Sequence, residues 1–354
     1  MQVVKQGSPA LPVRPRKSAT SLLKWLLALA LAGVLLYVAL RGVEWRRVEA
    51  TIVHCRWEYL SLACGCAAVS YIVRAMRWRL LLTAQENIAA PTVLWASSVG
   101  YLANSYLPAR AGEFVRTEMI SSRTRLPRMY VFTTAMAERV IELIVLVFMA
   151  WLGALTLPYK PAWLLHLMLV VILCAAVGTA FLLTLPAIDR ARSGFIAHFP
   201  ASEKTRHKLH NIAENVTLAL AALRSPARLL QVCAVTSIVW LLDAASAVIL
   251  AHALGMHLLL AVSLLLSTGL ALGNALPSTP GAIGIVQFAA VTVLTPFHFA
   301  RTDAIAYILV AQTASYFVIS TLGLIGLWQY RCASPKRARF SVHYRDKIRG
   351  CAQE

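Results

Sequence analysis

Apolar residues run through this chain in long blocks, separated by short clusters of Arg, Lys, Pro and Gly. Six blocks reach the roughly 20 residues that a helix needs to cross a hydrocarbon core of about 30 Å: 22–40, 57–82, 129–157, 162–185, 229–254 and 303–330. Two further stretches, 90–117 and 258–298, are apolar but broken in the middle. The breaks share a pattern, since Leu107-Pro108-Ala109-Arg110-Ala111-Gly112 and Leu276-Pro277-Ser278-Thr279-Pro280-Gly281 both read Leu-Pro-x-x-x-Gly. Gly100 and Asn104 precede the first, Gly273 and Asn274 the second. Pro removes a backbone donor and Gly admits unusual dihedrals, so each stretch is expected to be a helix pair that enters and leaves on one side. The alternative is a pair of kinked through-going helices. Irregular backbone at membrane depth needs protein or a wet cavity around it, which marks both breaks as places of interest.

The order of these elements repeats. Span, span, broken pair, span fills residues 22–157, and the same order fills 162–330, with the first half starting inside and the second outside. The expectation is an all-α integral membrane protein of about six spanning helices plus two re-entrant broken-helix pairs, related as an inverted repeat. Basic tails at 1–21 and 331–354 flank this unit. The first apolar block lacks a small-residue cleavage site and reads as a retained anchor. With both breaks re-entrant, the two termini and segments 74–89, 110–128 and 186–228 fall on the cytoplasmic side, with about 27 Lys and Arg against about 6 outside.

Composition narrows the class. Hydrophobic residues make up 59% of the chain, charged residues 14%, and mean hydropathy is +0.66, which no water-soluble surface accommodates. The net charge of +19 gathers at the ends of apolar blocks, where it sets topology, so nucleic acid is excluded as a partner. The seven cysteines are scattered, without CxxC or metal-ligand spacing, and no P-loop, HExxH or GxGxxG stands out. No cofactor, metal site or catalytic constellation is expected.

Charged residues inside apolar blocks are costly and face a cavity or a partner. Glu138, Arg139 and Glu142 are such residues; from a start near 129, Glu138 lies about 14 Å deep, near the middle of the bilayer. Arg139 reads either as part of a functional path or as a structural counter-ion to one of these acids or to Glu113. At the first break, Arg110, Glu113 and Arg116 follow Pro108, and a helix restarting near Gly112 would place Glu113 and Arg116 on neighbouring faces. Arginine's planar fork suits phosphate, and a restarted helix aims its amides at an anion. The second break is neutral: Asn274, Pro277, Ser278, Thr279, Pro280, Gly281, Gly284 and Gln287. Asp243, in the fifth span, reads as a partner for a basic residue such as Arg74. His252 and His257 read as interfacial.

Three motifs carry a resemblance: Asn104-Ser-Tyr-Leu-Pro-Ala-Arg-Ala-Gly-Glu-Phe-Val-Arg116, Glu138-Arg139-Val-Ile-Glu142, and Leu276-Pro-Ser-Thr-Pro-Gly-Ala-Ile-Gly284. Over about residues 22–330 the chain resembles the transmembrane, flippase-like domain of lysylphosphatidylglycerol synthases, as a stand-alone member without the C-terminal synthase domain. That family usually has Asp at the place of Glu142 and Glu at the place of Gln287. The resemblance implies movement of a phospholipid or other lipid-linked anionic substrate between the leaflets of a bacterial plasma (inner) membrane, with N- and C-termini cytoplasmic. It implies membrane lipids as partners, an anionic phospholipid headgroup foremost, and a lipid-modifying enzyme as a further candidate partner. The expected path comprises Asn104, Pro108, Arg110, Gly112, Glu113, Arg116, Glu138, Arg139, Glu142, Asn274, Pro277, Pro280, Gly281, Gly284 and Gln287. The rival readings are a membrane-embedded transferase using a lipid-linked donor and a non-catalytic partner of a lipid-modifying enzyme.

Overall fold

A computed structural model describes residues 32–107, 111–157, 214–221, 225–275 and 282–332, with isolated positions at 30, 169, 173, 212 and 223. Among the described residues the protein is all-helical. After a helical stretch over 32–40, the elements are α1 (Trp45–Val53), α2 (Trp57–Leu82), α3 (Ala90–Tyr106), α4 (Gly112–Ser121), α5 (Arg128–Leu155), α6 (Pro226–Ala253), α7 (Leu260–Ala275), α8 (Ile285–Leu294) and α9 (Arg301–Cys332). Proline sets several starts, where a missing amide hydrogen costs nothing: Pro91 opens α3, Pro226 opens α6 and Pro127 precedes α5. Gly255, at φ +71°, follows the end of α6.

Helices α2, α6 and α9, of 26, 28 and 32 residues, are long and apolar enough to cross a membrane. Only 22–28% of their most apolar windows is buried inside the protein, and Val69, Leu230, Phe317 and Trp328 point outward. Exposed apolar surface on this scale is covered by lipid. Three of the six expected spans are thus found where the hydropathy puts them. Helix α5 has a comparable length of 28 residues but carries Glu138, Arg139 and Glu142 at its middle. The first expected span is helical over its described part, 32–40, whereas most of 162–185 and both tails beyond α9 and before residue 30 lie outside the described residues.

Both broken stretches fold back on themselves. In α3–α4, Gly100 faces Arg116 while Asn104 faces Gly112, so the two helices run antiparallel. In α7–α8, Gly269 faces Val293 and Gly273 faces Ile285 in the same sense. The returning helices α4 and α8 have 10 residues each, about 15 Å, half of a hydrocarbon core. Close approach requires glycine at the first turn: a Cβ on Gly112 would lie 1.9 Å from the Gly100 carbonyl oxygen. At the second, Gly284 adopts φ +92° and a Cβ there would lie 2.3 Å from the Ala32 carbonyl oxygen.

The helix contacts form matched pairs. Helix α2 lies along α6; α3 packs on α9 as α5 packs on α7; α4 packs on α5 as α8 packs on α9; and α5 touches α6 as α9 touches α2. Exchanging α2–α5 for α6–α9 returns the same set. Helix α1 adds one contact outside it, resting on α9 through Arg47 and Asp303, 3.1 Å apart.

Candidate functional site

Four arginines and four carboxylates meet where α2, α4, α5 and α6 converge. Their placement follows from helical spacing: Arg74 and Arg77 are three apart on α2, Glu113 and Arg116 three apart on α4, and Glu138 and Glu142 four apart on α5, so each pair shares a face. Arg77 Nη2 lies 2.6 Å from Glu138 Oε1, and Arg116 Nη1 donates to Glu138 Oε2 at 2.9 Å. Arg116 Nη2 is 2.5 Å from Glu113 Oε2. Arg139 bridges Glu113 Oε1 at 3.0 Å and Glu142 Oε2 at 2.7 Å. Arg74 pairs with both Glu142 and Asp243, and Arg77 approaches Glu142 at 3.5 Å.

The set is electrically balanced, and that is what makes it tolerable. An unpaired charge at the bilayer centre costs roughly 2.5–3.5 kcal/mol on insertion scales, and breaking a buried pair about 3–5 kcal/mol. Arg77, Arg116 and Glu138 are no more than 1% exposed. Aromatic faces cover the cations: the Arg116 guanidinium lies 4.4 Å from the Trp78 ring centre, Arg74 5.0 Å from Trp240, and Arg139 5.8 Å from Tyr101. The indoles are fixed in turn, Trp78 Nε1 donating to Thr134 Oγ1 at 3.3 Å and Trp240 Nε1 to the Glu142 carbonyl at 3.3 Å. Arg77 Nη1 also donates to Thr236 Oγ1 at 3.4 Å.

Two members open outward. The Arg139 side chain is 29% exposed and that of Asp243 is 25% exposed, against 11% or less for the other six. Arg139 is therefore the most exposed of the four cations. Among the described residues no group of three or more His, Cys, Asp and Glu is placed to hold a metal ion.

The expected site residues divide accordingly. Glu113, Arg116, Glu138, Arg139 and Glu142 come together in the cluster, and α4 restarts at Gly112 as the spacing predicts. Asn104 ties the first hairpin, accepting from the Gly112 N–H at 2.8 Å and donating to Glu113 Oε1 at 3.4 Å. That bond takes up the Gly112 amide of the restarted helix. Gln287 ties the second, its Oε1 accepting from the Gly284 N–H at 2.7 Å and its Nε2 donating to Gln312 Oε1 at 2.9 Å. Asn274 lies in the last turn of α7, which ends at Ala275. Pro108, Arg110, Pro277, Pro280 and Gly281 lie outside the described residues.

Asp243 meets Arg74, as its position suggests. One part of the sequence reading is corrected: Arg74, Arg77 and Arg116, counted among cytoplasmic loop charges, are buried in helices. The Lys/Arg asymmetry loses three members. Arg77 was missed as a site residue because a basic cluster at the end of an apolar block reads as a topology signal. The available signal was its match to α5: two carboxylates four apart call for two cations at helical spacing on a neighbouring helix.

Among known families, the lysylphosphatidylglycerol synthase TM region matches the chain over residues 25–323. Neither the curated proteins nor the solved structures include a match to the chain.

Proposed function

The chain belongs to the lysylphosphatidylglycerol synthase transmembrane-region family, and from that premise we propose that it is a lipid translocator. It moves a phospholipid, or another lipid carrying an anionic headgroup, between the leaflets of a bacterial inner membrane, and it does so without chemical conversion. The observation that carries this reading is Arg139: a partly exposed guanidinium held between Glu113 and Glu142, within a buried cluster of zero net charge beside a broken helix. A phosphate reaching Arg139 finds a planar donor fork and competes with two carboxylates already there. Binding is therefore exchange of one anion for another, which suits a site that must release its substrate.

In this reading the two helical hairpins are re-entrant, the halves form an inverted repeat, and both termini are cytoplasmic. The short lengths of α4 and α8, the matched contacts of the halves and the Lys/Arg asymmetry support it.

The test is reconstitution into liposomes carrying fluorescent phosphatidylglycerol or phosphatidylethanolamine, scoring leaflet exchange for the wild type and for Arg139→Ala. Exchange by the wild type that the substitution abolishes is the expected result. Folded wild-type protein that moves neither lipid overturns the reading for these headgroups and favours a role as partner of a lipid-modifying enzyme.

A further inference from the structure

The charge balance of the cluster constrains what an anion can do there. Four arginines match four carboxylates, so an anionic headgroup seated at Arg139 brings a fifth negative charge into the apolar layer. A buried charge without a partner is costly, and a carboxylate so placed neutralises by taking a proton.

The pairings single out one carboxylate. With Arg139 turned to a phosphate, three cations remain for four acids. Glu142 keeps Arg74 and Arg77, and Glu138 keeps Arg77 and Arg116. Asp243 keeps Arg74 and has a side chain 25% exposed. Glu113 keeps Arg116, which it shares with Glu138, and its side chain is only 8% exposed. Among the described residues, Glu113 is thus the buried acid with the weakest remaining support.

The surroundings of Glu113 suit a neutral acid as well as an ionised one. Helix α4 packs on α3 and α5. Helix α3 carries no Asp, Glu, Lys or Arg and faces Glu113 with Asn104, whose Nδ2 is 3.4 Å from Oε1. Tyr101, three residues before Asn104, lies against Arg139, and its buried hydroxyl has no hydrogen-bond partner among the described residues. The other titratable group of α3, Tyr106, turns to Ser320. From α5 comes Arg139, which bridges Glu113 to Glu142, while Glu138 stands across Arg116. Arg74 and Arg77 of α2 serve Glu138 and Glu142, and Glu118 of α4 turns outward to Arg128. Amides and hydroxyls both donate and accept, so Asn104 and Tyr101 can serve either form of the acid.

We propose that an anionic headgroup enters with one proton, which Glu113 takes as Arg139 leaves it for the phosphate. The Arg139 Nε and Nη2 contacts to Glu113 Oε1, at 3.1 and 3.0 Å, are given up. One O–H bond forms on Glu113, its proton comes from the aqueous phase, and no other covalent bond changes. The loaded cluster is neutral again. A zwitterionic headgroup brings its own ammonium and needs no proton. The inference rests on the headgroup seat at Arg139 read above, and only its part in transport needs leaflet exchange. Lipid and proton together carry no net charge, so a pH gradient drives the movement and a membrane voltage does not.

Two readouts on the full-length protein decide it. Short-chain phosphatidylglycerol or phosphatidylethanolamine is titrated into the protein in weakly buffered detergent, with an indicator dye counting protons. Liposome exchange of the same lipids is then scored with and without a pH gradient. The wild type is expected to take up about one proton per phosphatidylglycerol and none per phosphatidylethanolamine. Its phosphatidylglycerol affinity should rise about tenfold per unit fall in pH, because the bound state holds one more proton. Glu113→Gln should abolish both the uptake and the pH dependence; if that variant melts early, the contrast between the two lipids on the wild type decides. Equal uptake with both lipids, no uptake with bound phosphatidylglycerol, or uptake that persists in Glu113→Gln overturns the assignment. A folded wild type that binds no phosphatidylglycerol overturns it together with the seat at Arg139. Proton uptake on binding without leaflet exchange keeps the proton and removes the translocator reading. Exchange that ignores the pH gradient, with no uptake on binding, does the reverse.

Discussion

The two helical hairpins share a backbone device and differ in chemistry. In α3–α4 the Asn104 carbonyl accepts from the Gly112 amide at 2.8 Å; in α7–α8 the Gln287 carbonyl accepts from the Gly284 amide at 2.7 Å. Each turn is thereby held by one side-chain carbonyl and one glycine. Beyond the turn they diverge. Helix α4 presents Glu113 and Arg116 to the charges of α5, while α8 presents Gln287 to Gln312 of α9. Folding back is a property of the repeated motif, and charge is an addition to one copy of it.

The largest test of that difference is Glu138→Ala. It leaves Arg77 and Arg116 buried and short of a partner, and should cost about 3–5 kcal/mol, read as a large drop in melting temperature and folded yield in detergent. The second hairpin has no Asp, Glu, Lys or Arg, and so no ion pair of its own to break. Next come the glycine contacts. Gly112→Ala meets backbone oxygen at 1.9 Å and should cost about 3 kcal/mol, whereas Gly273→Ala meets only the Ile285 Cγ2 methyl at 2.7 Å and should cost about 1 kcal/mol. Equal losses in chemical denaturation would show that the α7–α8 contact at Gly273 is as tightly set as the α3–α4 contact at Gly112.

The turn bonds should be nearly equivalent. Asn104→Leu and Gln287→Leu each orphan a glycine amide, for about 2 kcal/mol apiece by the same denaturation measurement. Arg139→Gln should have the smallest effect on stability, about 1 kcal/mol, because its side chain is 29% exposed. A thermal shift as large as that of Glu138→Ala would make Arg139 a structural counter-ion and take away its special standing.

Much of this was legible in the sequence. Hydropathy located α2, α6 and α9, the repeated Leu-Pro-x-x-x-Gly located the breaks, and spacing placed Glu113 beside Arg116 and Glu138 on the face of Glu142. Asp243 declared itself as the one acid of its block. Arg74 was legible only as a partner for Asp243, and Arg77 not at all, because an arginine at the end of an apolar run has the same local sequence whether it faces headgroups or a buried carboxylate. The distinction lies in a partner 61 to 169 residues away, which local periodicity does not reach.

The charge cluster also imposes an order on biogenesis. Helices α2, α4 and α5 together contribute four arginines and three carboxylates, and α6 brings the fourth carboxylate, Asp243, from 169 residues beyond Arg74. At a synthesis rate of about 5–20 residues per second the ribosome needs roughly 8–34 s to cover that distance. The surplus positive charge of the nascent first half alternates between one and two until Glu142 is made, and then stays at one within the apolar layer. The insertion machinery or a water defect must shelter it until α6 arrives.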